Sequence, residues 1–287
     1  MKILVFGKTG QVGEEVSLIK RPGLNIRQLN RSQADLLRPE LIRNTILKER
    51  PDVVLNLAAY TEVDKAEDEE EAARKINSFA PVEMAKASEE INIPFLHLST
   101  DYVFDGTGDE PWKTNDPTRP INAYGRSKLL GEEGIKSSCS RYVIVRTSWV
   151  FSPYRNNFVK SMIHLSRKNN HLRIVKDQIG GPTAASDIAE VCIRISEALW
   201  ADKSLKGTYH FTGLPFVSKA DFAREIFKIS KRDIVVEDIL TEEFPTPAQR
   251  PKNSRLDSEL TVSTFSIGLP DWRVSLKNVL DELKESG

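Results

Sequence analysis

The chain has 287 residues, 39% of them hydrophobic and 29% charged, and its 41 Lys and Arg residues balance its 41 Asp and Glu residues. That balance is ordinary for a globular protein, and zero net charge argues against a nucleic-acid partner. No apolar stretch approaches the ~20 residues that a membrane span needs, and no signal peptide opens the chain. We therefore expect a cytoplasmic protein with no nucleic-acid or membrane partner.

A glycine-rich turn follows the first predicted strand. Residues 2–6 form a short apolar run, typical of a strand buried on both faces, and residues 7–13 then have the spacing G-x-x-G-x-x-G. Glycines in such a turn let the backbone approach a pyrophosphate, and the N–H groups of the following helix bind it. An ordinary strand-to-helix turn is the alternative, but the position directly after a buried strand favours a dinucleotide site.

The end of the second predicted strand, residues 25–29, bears on the choice of cofactor. An NAD site usually has Asp or Glu there to bind the ribose 2′-hydroxyl, whereas this chain has Asn-Arg-Ser at positions 30–32. Arg31 can pair with a 2′-phosphate, so we predict NADPH, with NADH as the alternative. A solvated loop arginine is the competing interpretation. Asp35 and Leu36 are expected near the adenine.

The third predicted strand follows a helix that begins at Pro39. Residues 53–59 are an apolar run that ends in small residues, which let the cofactor ribose and diphosphate come close. The loop at 60–64 is then expected to face the nicotinamide and the substrate. A long helix is predicted over 69–91, and Asn77 on it is either a structural polar residue or part of a proton relay.

The fourth predicted strand, residues 93–98, leads to Ser99 and Thr100. Apolar strands that alternate with helices indicate an α/β fold with a Rossmann-type, doubly wound parallel sheet, and ligands bind at the carboxyl ends of its strands. A Pro-rich loop then precedes a helix that carries Tyr124 and Lys128.

Thr100, Tyr124 and Lys128 are the groups needed to protonate a carbonyl oxygen while hydride arrives from a nicotinamide. Free tyrosine titrates near ~10, and a lysine ammonium one helical turn away favours tyrosinate and lowers that pKa. Tyr124 would donate its proton, Thr100 would hydrogen-bond the same oxygen, and Lys128 would hold the nicotinamide ribose. Tyr-x-x-x-Lys alone also fits a core tyrosine with a lysine that extends to the surface. The order of the motifs, with the glycine turn first, Ser99 and Thr100 after the fourth strand and Tyr-x-x-x-Lys last, favours a reductase.

The strict alternation of strand and helix loosens after the fifth predicted strand, residues 141–146. We expect an NADP-binding Rossmann domain over 1–150, to which segments of about 183–213 return, and a smaller C-terminal α/β substrate-binding part over 151–287. A late Pro- and Arg-rich loop carries Arg250, which suits bidentate phosphate binding; a solvated loop is the alternative.

The ordered motifs resemble the extended short-chain dehydrogenase/reductase superfamily and, more closely, the dTDP-4-dehydrorhamnose reductase family. The resemblance spans nearly the whole chain and is carried by residues 7–13, 99–104, 146–150, 156–158 and 245–256. It implies NADPH-dependent reduction of the 4-keto group of dTDP-4-dehydro-β-L-rhamnose to dTDP-L-rhamnose, the last step of dTDP-rhamnose biosynthesis. The deoxyhexulose and the nucleotide base stay open.

The resemblance also assigns residues to the site. The catalytic residues that it implies are Thr100, Tyr124 and Lys128. Together with the residues argued above, the predicted cofactor contacts are Gly7, Thr9, Gly10, Gln11, Val12, Gly13, Arg31, Asp35, Leu36, Ala58, Ala59, Thr61, Tyr124 and Lys128. The predicted substrate contacts are Val63, Asp101, Tyr102, Trp149, Asn157 and Arg250, where Trp149 in the core is the alternative to a ligand role.

Some members of this family are Mg-bridged dimers held through acidic residues. Glu15 and Glu282 are candidates for two of the ligands, but the third position falls on Ser186, and a hard cation needs several oxygen ligands. We therefore predict no metal and leave monomer or homodimer open. The only cysteines, Cys139 and Cys192, are expected as buried thiols.

Two other functions compete with reduction. Sugar-nucleotide dehydratases place an Asp-Glu pair directly after the active-site Thr, and here Asp101 is followed by Tyr102, which disfavours elimination. Another sugar-nucleotide reductase or an epimerase stays an alternative. A non-enzymatic alternative is an NADP-binding regulatory subunit, similar to the methionine adenosyltransferase β subunit, which would bind the cofactor without turnover.

Overall fold

The computed structural model describes residues 1–285, and within them no helix combines the length and apolar character needed to cross a membrane. The strands are β1 (Lys2–Phe6), β2 (Asn25–Leu29), β3 (Val53–Asn56), β4 (Phe95–Thr100), β5 (Tyr142–Thr147), β6 (Val150–Phe151), β7 (His171–Val175), β8 (Ile179–Gly180), β9 (Thr183–Ala184), β10 (Gly207–His210), β11 (Val217–Ser218), β12 (Val235–Ile239) and β13 (Asn253–Ser254). The α-helices are α1 (Gln11–Leu18), α2 (Pro39–Glu49), α3 (Glu70–Arg74), α4 (Ala80–Glu90), α5 (Ala123–Ser138), α6 (Phe158–Leu165), α7 (Ala185–Ala201), α8 (Lys219–Ile229), α9 (Glu259–Phe265) and α10 (Trp272–Glu285).

A six-stranded parallel sheet forms the centre of the fold, in the strand order β10-β5-β4-β3-β1-β2. Strands β1 and β3 are apolar and buried along almost their whole length, as expected for a sheet covered on both faces. The strand order changes direction between β1 and β3, whose register pairs Phe6 with Asn56 at their carboxyl ends. Ligands bind doubly wound sheets in the crevice at such a switch point. The predicted Rossmann-type sheet is confirmed.

Helices cover both faces of this sheet. On one face α1 and α7 pack together, burying Val16 and Ile188, and on the other α2, α4 and α5 bury residues such as Ile46. Cys192 lies in the first core and Cys139 in the second. Both are buried free thiols, as predicted.

The helix predicted over 69–91 is interrupted. Helices α3 and α4 are joined by a π-helical turn, Lys75–Phe79, which contains Asn77. A π-turn adds a residue to the helical repeat and turns a side chain out of register, an effect that sequence periodicity does not reveal. Helix α5 packs so closely against this turn that a Cβ atom on Gly131 would lie 2.2 Å from the Asn77 carbonyl oxygen.

The second half adds a small layer that the sequence analysis did not resolve. Strands β7 and β12 form a parallel pair with His171 opposite Val235, and α6, α8 and α10 share a core with it. Helix α8 begins at the predicted cap, where the Ser218 hydroxyl oxygen accepts the Asp221 N–H at 2.9 Å. In contrast, β10 pairs with β5 at the edge of the large sheet, and α7 packs on α1.

Candidate active site

The glycine turn after β1 is packed so tightly that side chains are excluded. Gly7 has a φ of +103°, and a Cβ atom there would lie 2.7 Å from the Ala58 backbone nitrogen. A Cβ atom on Gly13 would lie 2.0 Å from the Gly7 carbonyl oxygen. Helix α1 begins after Gly10, which has no side chain to cap its first N–H groups. Those groups are therefore available to a phosphate at the switch point of the sheet, and the turn fits a dinucleotide.

A loop of the second half closes over this turn. The Gln11 side-chain oxygen accepts hydrogen bonds from the Ser152 hydroxyl at 2.8 Å and from Asn157 Nδ2 at 3.0 Å. The Arg155 Nε donates to the Thr9 carbonyl oxygen at 2.7 Å. Asn157 also caps α6. Its amide therefore joins the cofactor turn to the second half, while its predicted contact with the substrate stays a prediction.

Arg31 lies beside the glycine turn on an exposed bend. The end of β2 contacts that turn, since the Lys8 N–H donates to the Leu29 carbonyl oxygen at 3.2 Å. The Arg31 side chain is 73% exposed, and its Nε lies 3.5 Å from Asp35 Oδ1. Leu36 is buried in the core below. An exposed guanidinium with one weak ion pair can turn toward a 2′-phosphate, and this role stays a prediction.

The loop after β3 is held by Asn77. The Tyr60 N–H donates to Asn77 Oδ1 at 2.8 Å, and Asn77 Nδ2 donates to the Tyr60 carbonyl oxygen at 3.1 Å and to Ser127 Oγ at 2.9 Å. These bonds tie α5 to the loop that carries Ala58, Ala59, Thr61 and Val63, the predicted contacts of cofactor and substrate. Of the two roles left open for Asn77, these contacts support the structural one.

The start of α5 is fixed from two sides. Asn122 Oδ1 accepts the Gly125 N–H at 2.8 Å, and Glu67 Oε1 accepts the Ala123 N–H at 2.8 Å. The Tyr124 hydroxyl lies near the side chain of Thr100 at the end of β4, close enough for Thr100 to act on its pKa. The structure thus brings together Thr100 and Tyr124, which are separated by a long loop in the sequence.

The amine of Lys128 is held against β4 in this structure. Its Nζ lies 2.8 Å from the Leu98 carbonyl oxygen and 3.0 Å from His97 Nε2, and burial lowers its pKa to about 8. Burial raises the pKa of Tyr124 to about 12; the neighbouring Thr100 side chain opposes this shift, and the charge of Asp101 reinforces it. The expectation that Lys128 lowers the Tyr124 pKa is therefore wrong for the cofactor-free chain, because burial dominates and the amine is turned toward β4.

Asp101 and Tyr102 lie next to Thr100 and Tyr124. Burial raises the pKa of Asp101 to about 6, against the hydrogen bonds of Ser254 and Thr100. The rings of Tyr102 and Tyr124 meet edge to face, with centroids 5.6 Å apart. Burial, together with the Asp101 charge, raises the pKa of Tyr102 far above its usual range. Both phenols are therefore neutral proton donors at physiological pH.

Arg250 lies in the late loop and reaches the loop after β3. Its Nη1 and Nη2 atoms lie 2.6 Å and 2.7 Å from the two carboxylate oxygens of Asp64. The neighbouring cations of that loop have other partners: Lys252 pairs with Asp177 at 3.0 Å, and Arg255 donates to Asn253 Oδ1 at 2.9 Å. The predicted phosphate contact of Arg250 stays a prediction, and Asp64 is a partner that the sequence did not indicate.

Lys219 is a further residue of this region that the sequence analysis missed. Its Nζ lies 3.5 Å from the centroid of the Trp149 ring and 4.7 Å from that of Phe158. Burial lowers the pKa of Lys219 to about 7, while the charge of Asp101 opposes the shift. Trp149 itself has a left-handed φ of 47°, a strained conformation for a bulky residue. Lys219 begins a helix without any recognisable motif, so only the tertiary structure reveals it.

The acidic residues considered for a metal are grouped differently from the prediction. Burial, with the charges of Glu282 and Asp187, raises the pKa of Glu15 to about 7. The third acidic residue near Glu15 is thus Asp187, which follows the exposed Ser186. The prediction that this position lacks a carboxylate, because it falls on Ser186, was therefore wrong. Within residues 1–285, no set of three His, Cys, Asp or Glu residues is arranged to hold a metal ion.

The fold and the site together define a Rossmann-type nucleotide-binding oxidoreductase, and comparison with known proteins narrows the class. The family model described as RmlD substrate binding domain matches residues 1–285. The dTDP-4-dehydrorhamnose reductase of Sinorhizobium fredii is 41% identical, covering 98% of this chain and 97% of that protein, and the Shigella flexneri enzyme is 38% identical, covering 99% and 98%.

Solved structures agree. A dTDP-4-dehydrorhamnose reductase from Clostridium acetobutylicum superposes with a TM-score of 0.92 at 37% identity, covering 99% of this chain and 100% of that one. The Bacillus anthracis enzyme in complex with NADP has a TM-score of 0.90 at 33% identity, covering 98% and 99%. The chain belongs to the dTDP-4-dehydrorhamnose reductase family.

Proposed function

We propose that the protein reduces the 4-keto group of dTDP-4-dehydro-β-L-rhamnose to dTDP-L-rhamnose with NADPH. The observation that carries this proposal is the placement of the Thr100 and Tyr124 side chains beside each other at the carboxyl end of β4. In the sheet, β4 is separated only by β3 from β1, which leads into the glycine turn. A substrate carbonyl and a nicotinamide can therefore meet at this edge of the sheet. The full-length match to the dTDP-4-dehydrorhamnose reductases supports the choice of substrate.

The reaction needs a proton donor and a fixed carbonyl. NADPH supplies the hydride when bound. Tyr124, neutral because burial raises its pKa to about 12, donates its proton to the oxygen as negative charge develops on it. Thr100 donates a hydrogen bond to the same oxygen and fixes its position. Lys128, buried one turn further along the same helix, is proposed to return a proton to the tyrosinate and to bind the nicotinamide ribose.

The remaining predicted residues divide between the two ligands. The glycine turn, with Arg31 beside it, is proposed for NADPH, in line with the NADP complex of the Bacillus anthracis relative. For the sugar we propose Asp101, Tyr102 and Trp149, with Val63 at the rim. Arg250 is proposed for the diphosphate, because a guanidinium binds phosphate oxygens through two parallel hydrogen bonds.

We further propose a division into a cofactor-binding part over 1–150 and a substrate-binding part over 151–287. The pairing of β10 with β5 supports a return of the chain to the first part at about 183–213. A cytoplasmic enzyme acting as monomer or homodimer completes the proposal. The predicted absence of nucleic-acid and membrane partners belongs to it as well.

The decisive experiment follows NADPH absorbance with dTDP-4-keto-6-deoxy sugar generated by a 3,5-epimerase. We expect oxidation that depends on the sugar nucleotide, and a loss of at least about a hundredfold in kcat for Tyr124→Phe with nearly unchanged NADPH affinity. Tyr142→Phe, a tyrosine at the start of β5, is the matched control. Full activity of Tyr124→Phe would refute the assignment of the acid.

A regulatory subunit that binds NADP without turnover is the second candidate. It predicts tight cofactor binding and no oxidation with any keto-sugar nucleotide. Dehydration is disfavoured because Tyr102, whose ring packs on Tyr124, occupies the position of the second carboxylate. Testing several keto-sugar nucleotides in the same assay also decides the deoxyhexulose and the base.

A further inference from the structure

A buried polar chain runs from β3 through β4 to Lys128. Asn56 and His97 lie opposite each other in the register of the two strands, and both are completely buried. Asn56 Nδ2 lies 3.0 Å from His97 Nδ1, and His97 Nε2 lies 3.0 Å from Lys128 Nζ. The proposed mechanism uses neither Asn56 nor His97, yet His97 lies within hydrogen-bond distance of the Lys128 amine.

The direction of the chain is set at its first member. Asn56 Oδ1 accepts the Ala58 backbone N–H at 3.1 Å, so the amide NH₂ group must face His97. An amide NH₂ only donates, and His97 Nδ1 must therefore accept. Complete burial is the larger cause that holds the pKa of His97 well below its usual range, so the ring is neutral; the charge of Lys128 adds to this effect only while the amine is protonated. A neutral ring that accepts at Nδ1 has its proton on Nε2.

This tautomer presents a donor to the amine. Nε2–H and an ammonium group are both donors, and two buried donors that face each other at 3.0 Å do not form a hydrogen bond. The unprotonated amine does fit, since its lone pair accepts from His97 Nε2–H while its own hydrogens donate to the Leu98 carbonyl oxygen at 2.8 Å. All of these hydrogen bonds can therefore form when Lys128 is unprotonated, but not when it is an ammonium.

We propose that Asn56 and His97 form a positioning relay that holds Lys128 against β4 and favours its unprotonated amine in the cofactor-free protein. The proposal rests on the proposed function only in giving Lys128 a role in turnover. A lysine with weakened proton affinity exchanges protons near neutral pH, as a group that reprotonates Tyr124 must. Asn56 and His97 act through Lys128 and are positioning residues.

The other charged groups near Lys128 do not replace this control. Glu132 lies one turn further along α5 and raises the proton affinity of Lys128, but its carboxylate is paired with Arg146 of β5 at 2.6 Å. Tyr124, one turn earlier, is neutral. On β4 the neighbouring titratable groups are His97 itself and Asp101 beyond its end.

The substitution Asn56→Asp inverts the relay with almost no change in volume. A carboxylate accepts from both Ala58 N–H and His97 Nδ1–H, so the ring proton moves to Nδ1 and Nε2 becomes an acceptor for the Lys128 ammonium. We expect the titration midpoint of Lys128 to rise by roughly one unit, a tenfold gain in proton affinity. Asn92→Asp, at the other end of β4 on an exposed residue, is the matched control and should leave the midpoint unchanged.

The test uses NMR of the cofactor-free full chain, which makes it independent of turnover. Nitrogen shifts of the four histidines report the tautomer, and ¹³Cε shifts of labelled lysine, assigned with Lys128→Met, report the titration of Lys128. The expected results are a neutral Nε2–H tautomer of His97 in the wild type and the raised Lys128 midpoint in Asn56→Asp.

An Nδ1–H tautomer in the wild type would overturn the proposal even if Asn56→Asp fails to fold. An unchanged Lys128 midpoint in a folded Asn56→Asp variant would overturn it as well. If the relay behaves as expected but no keto-sugar nucleotide is reduced, the proposed function fails and the relay stands.

Discussion

Arg250 and Asp64 form a two-pronged ion pair that joins the late Pro-rich loop to the loop after β3, with N···O distances of 2.6 Å and 2.7 Å. The pair is 186 residues apart in the sequence. The Arg250 side chain is 19% exposed, so it lies between interior and solvent. The hydrogen bond from Arg250 outweighs the opposing effect of burial and holds the pKa of Asp64 below its usual range, so the carboxylate stays charged at neutral pH.

Replacing Arg250 should weaken the sugar nucleotide selectively. Removing a charge-assisted contact to a phosphate costs about 1.5–3 kcal/mol, so we expect Arg250→Ala to raise KM for the sugar nucleotide by at least about tenfold. KM for NADPH should change little. Lys252→Ala, in the same loop but paired with Asp177 and Glu242, is the matched control. Steady-state kinetics with each substrate varied in turn measures both KM values. Equal KM values of the two variants for the sugar nucleotide would contradict the phosphate role of Arg250.

Replacing Arg31 should separate the two cofactors. The exposed guanidinium of Arg31 has one weak partner, Asp35, and is available to a 2′-phosphate that NADH lacks. We expect Arg31→Ala to lower NADPH affinity by about tenfold while NADH affinity stays within about twofold. Arg38→Ala, another exposed arginine of the same loop region, serves as the control. Calorimetric titration measures both affinities, and equal losses for both cofactors would refute the 2′-phosphate role.

Much of the fold could be predicted because the information is local. The buried strands β1 and β3 are continuous apolar runs, and the glycines at 7–13 are required by close backbone contacts that any such turn must make. The cap at Ser218 is equally local, since its partner Asp221 lies three residues away. These features need no knowledge of the tertiary structure.

The unpredicted features depend on partners that are distant in the sequence. Lys219 is recognisable only once Trp149 and Phe158 enclose it, and the Asp64 partner of Arg250 comes from the opposite half of the chain. The predicted effect of Lys128 on Tyr124 was wrong for the same reason. Helical spacing places the two residues one turn apart, but the Lys128 amine contacts His97, which lies on β4 and is distant in the sequence.

The buried Asp101 should make stability depend on pH in a predictable direction. Its pKa rises from about 4 in the unfolded chain to about 6 in the fold, so the native state binds the extra proton. Stability from this group is complete below about pH 4 and is lost as the pH rises through about 6, at a cost of about 3 kcal/mol. We expect Asp101→Asn to stabilise the cofactor-free chain against urea at pH 8 but not at pH 4.

The control for this pH dependence is Asp109→Asn, an exposed residue of the following loop. It should leave the unfolding free energy nearly unchanged at both pH values. If Asp101→Asn had the same effect at pH 4 and pH 8, the carboxyl group would not be titrating in this range, and the assignment of a raised pKa would be wrong.

Lys219 provides the sharpest test of how the second half contributes to the site. Its ammonium lies over the rings of Trp149 and Phe158, within electrostatic reach of Asp101. Methionine keeps most of the volume and the contact with both rings but removes the charge. If the ammonium donates to the sugar, Lys219→Met should lower kcat/KM for the sugar nucleotide by about tenfold or more and leave NADPH affinity unchanged. Lys228→Met, on the same helix but exposed and paired with Glu225, should stay within about twofold of the wild type, and equal kinetics for the two variants would remove Lys219 from the site.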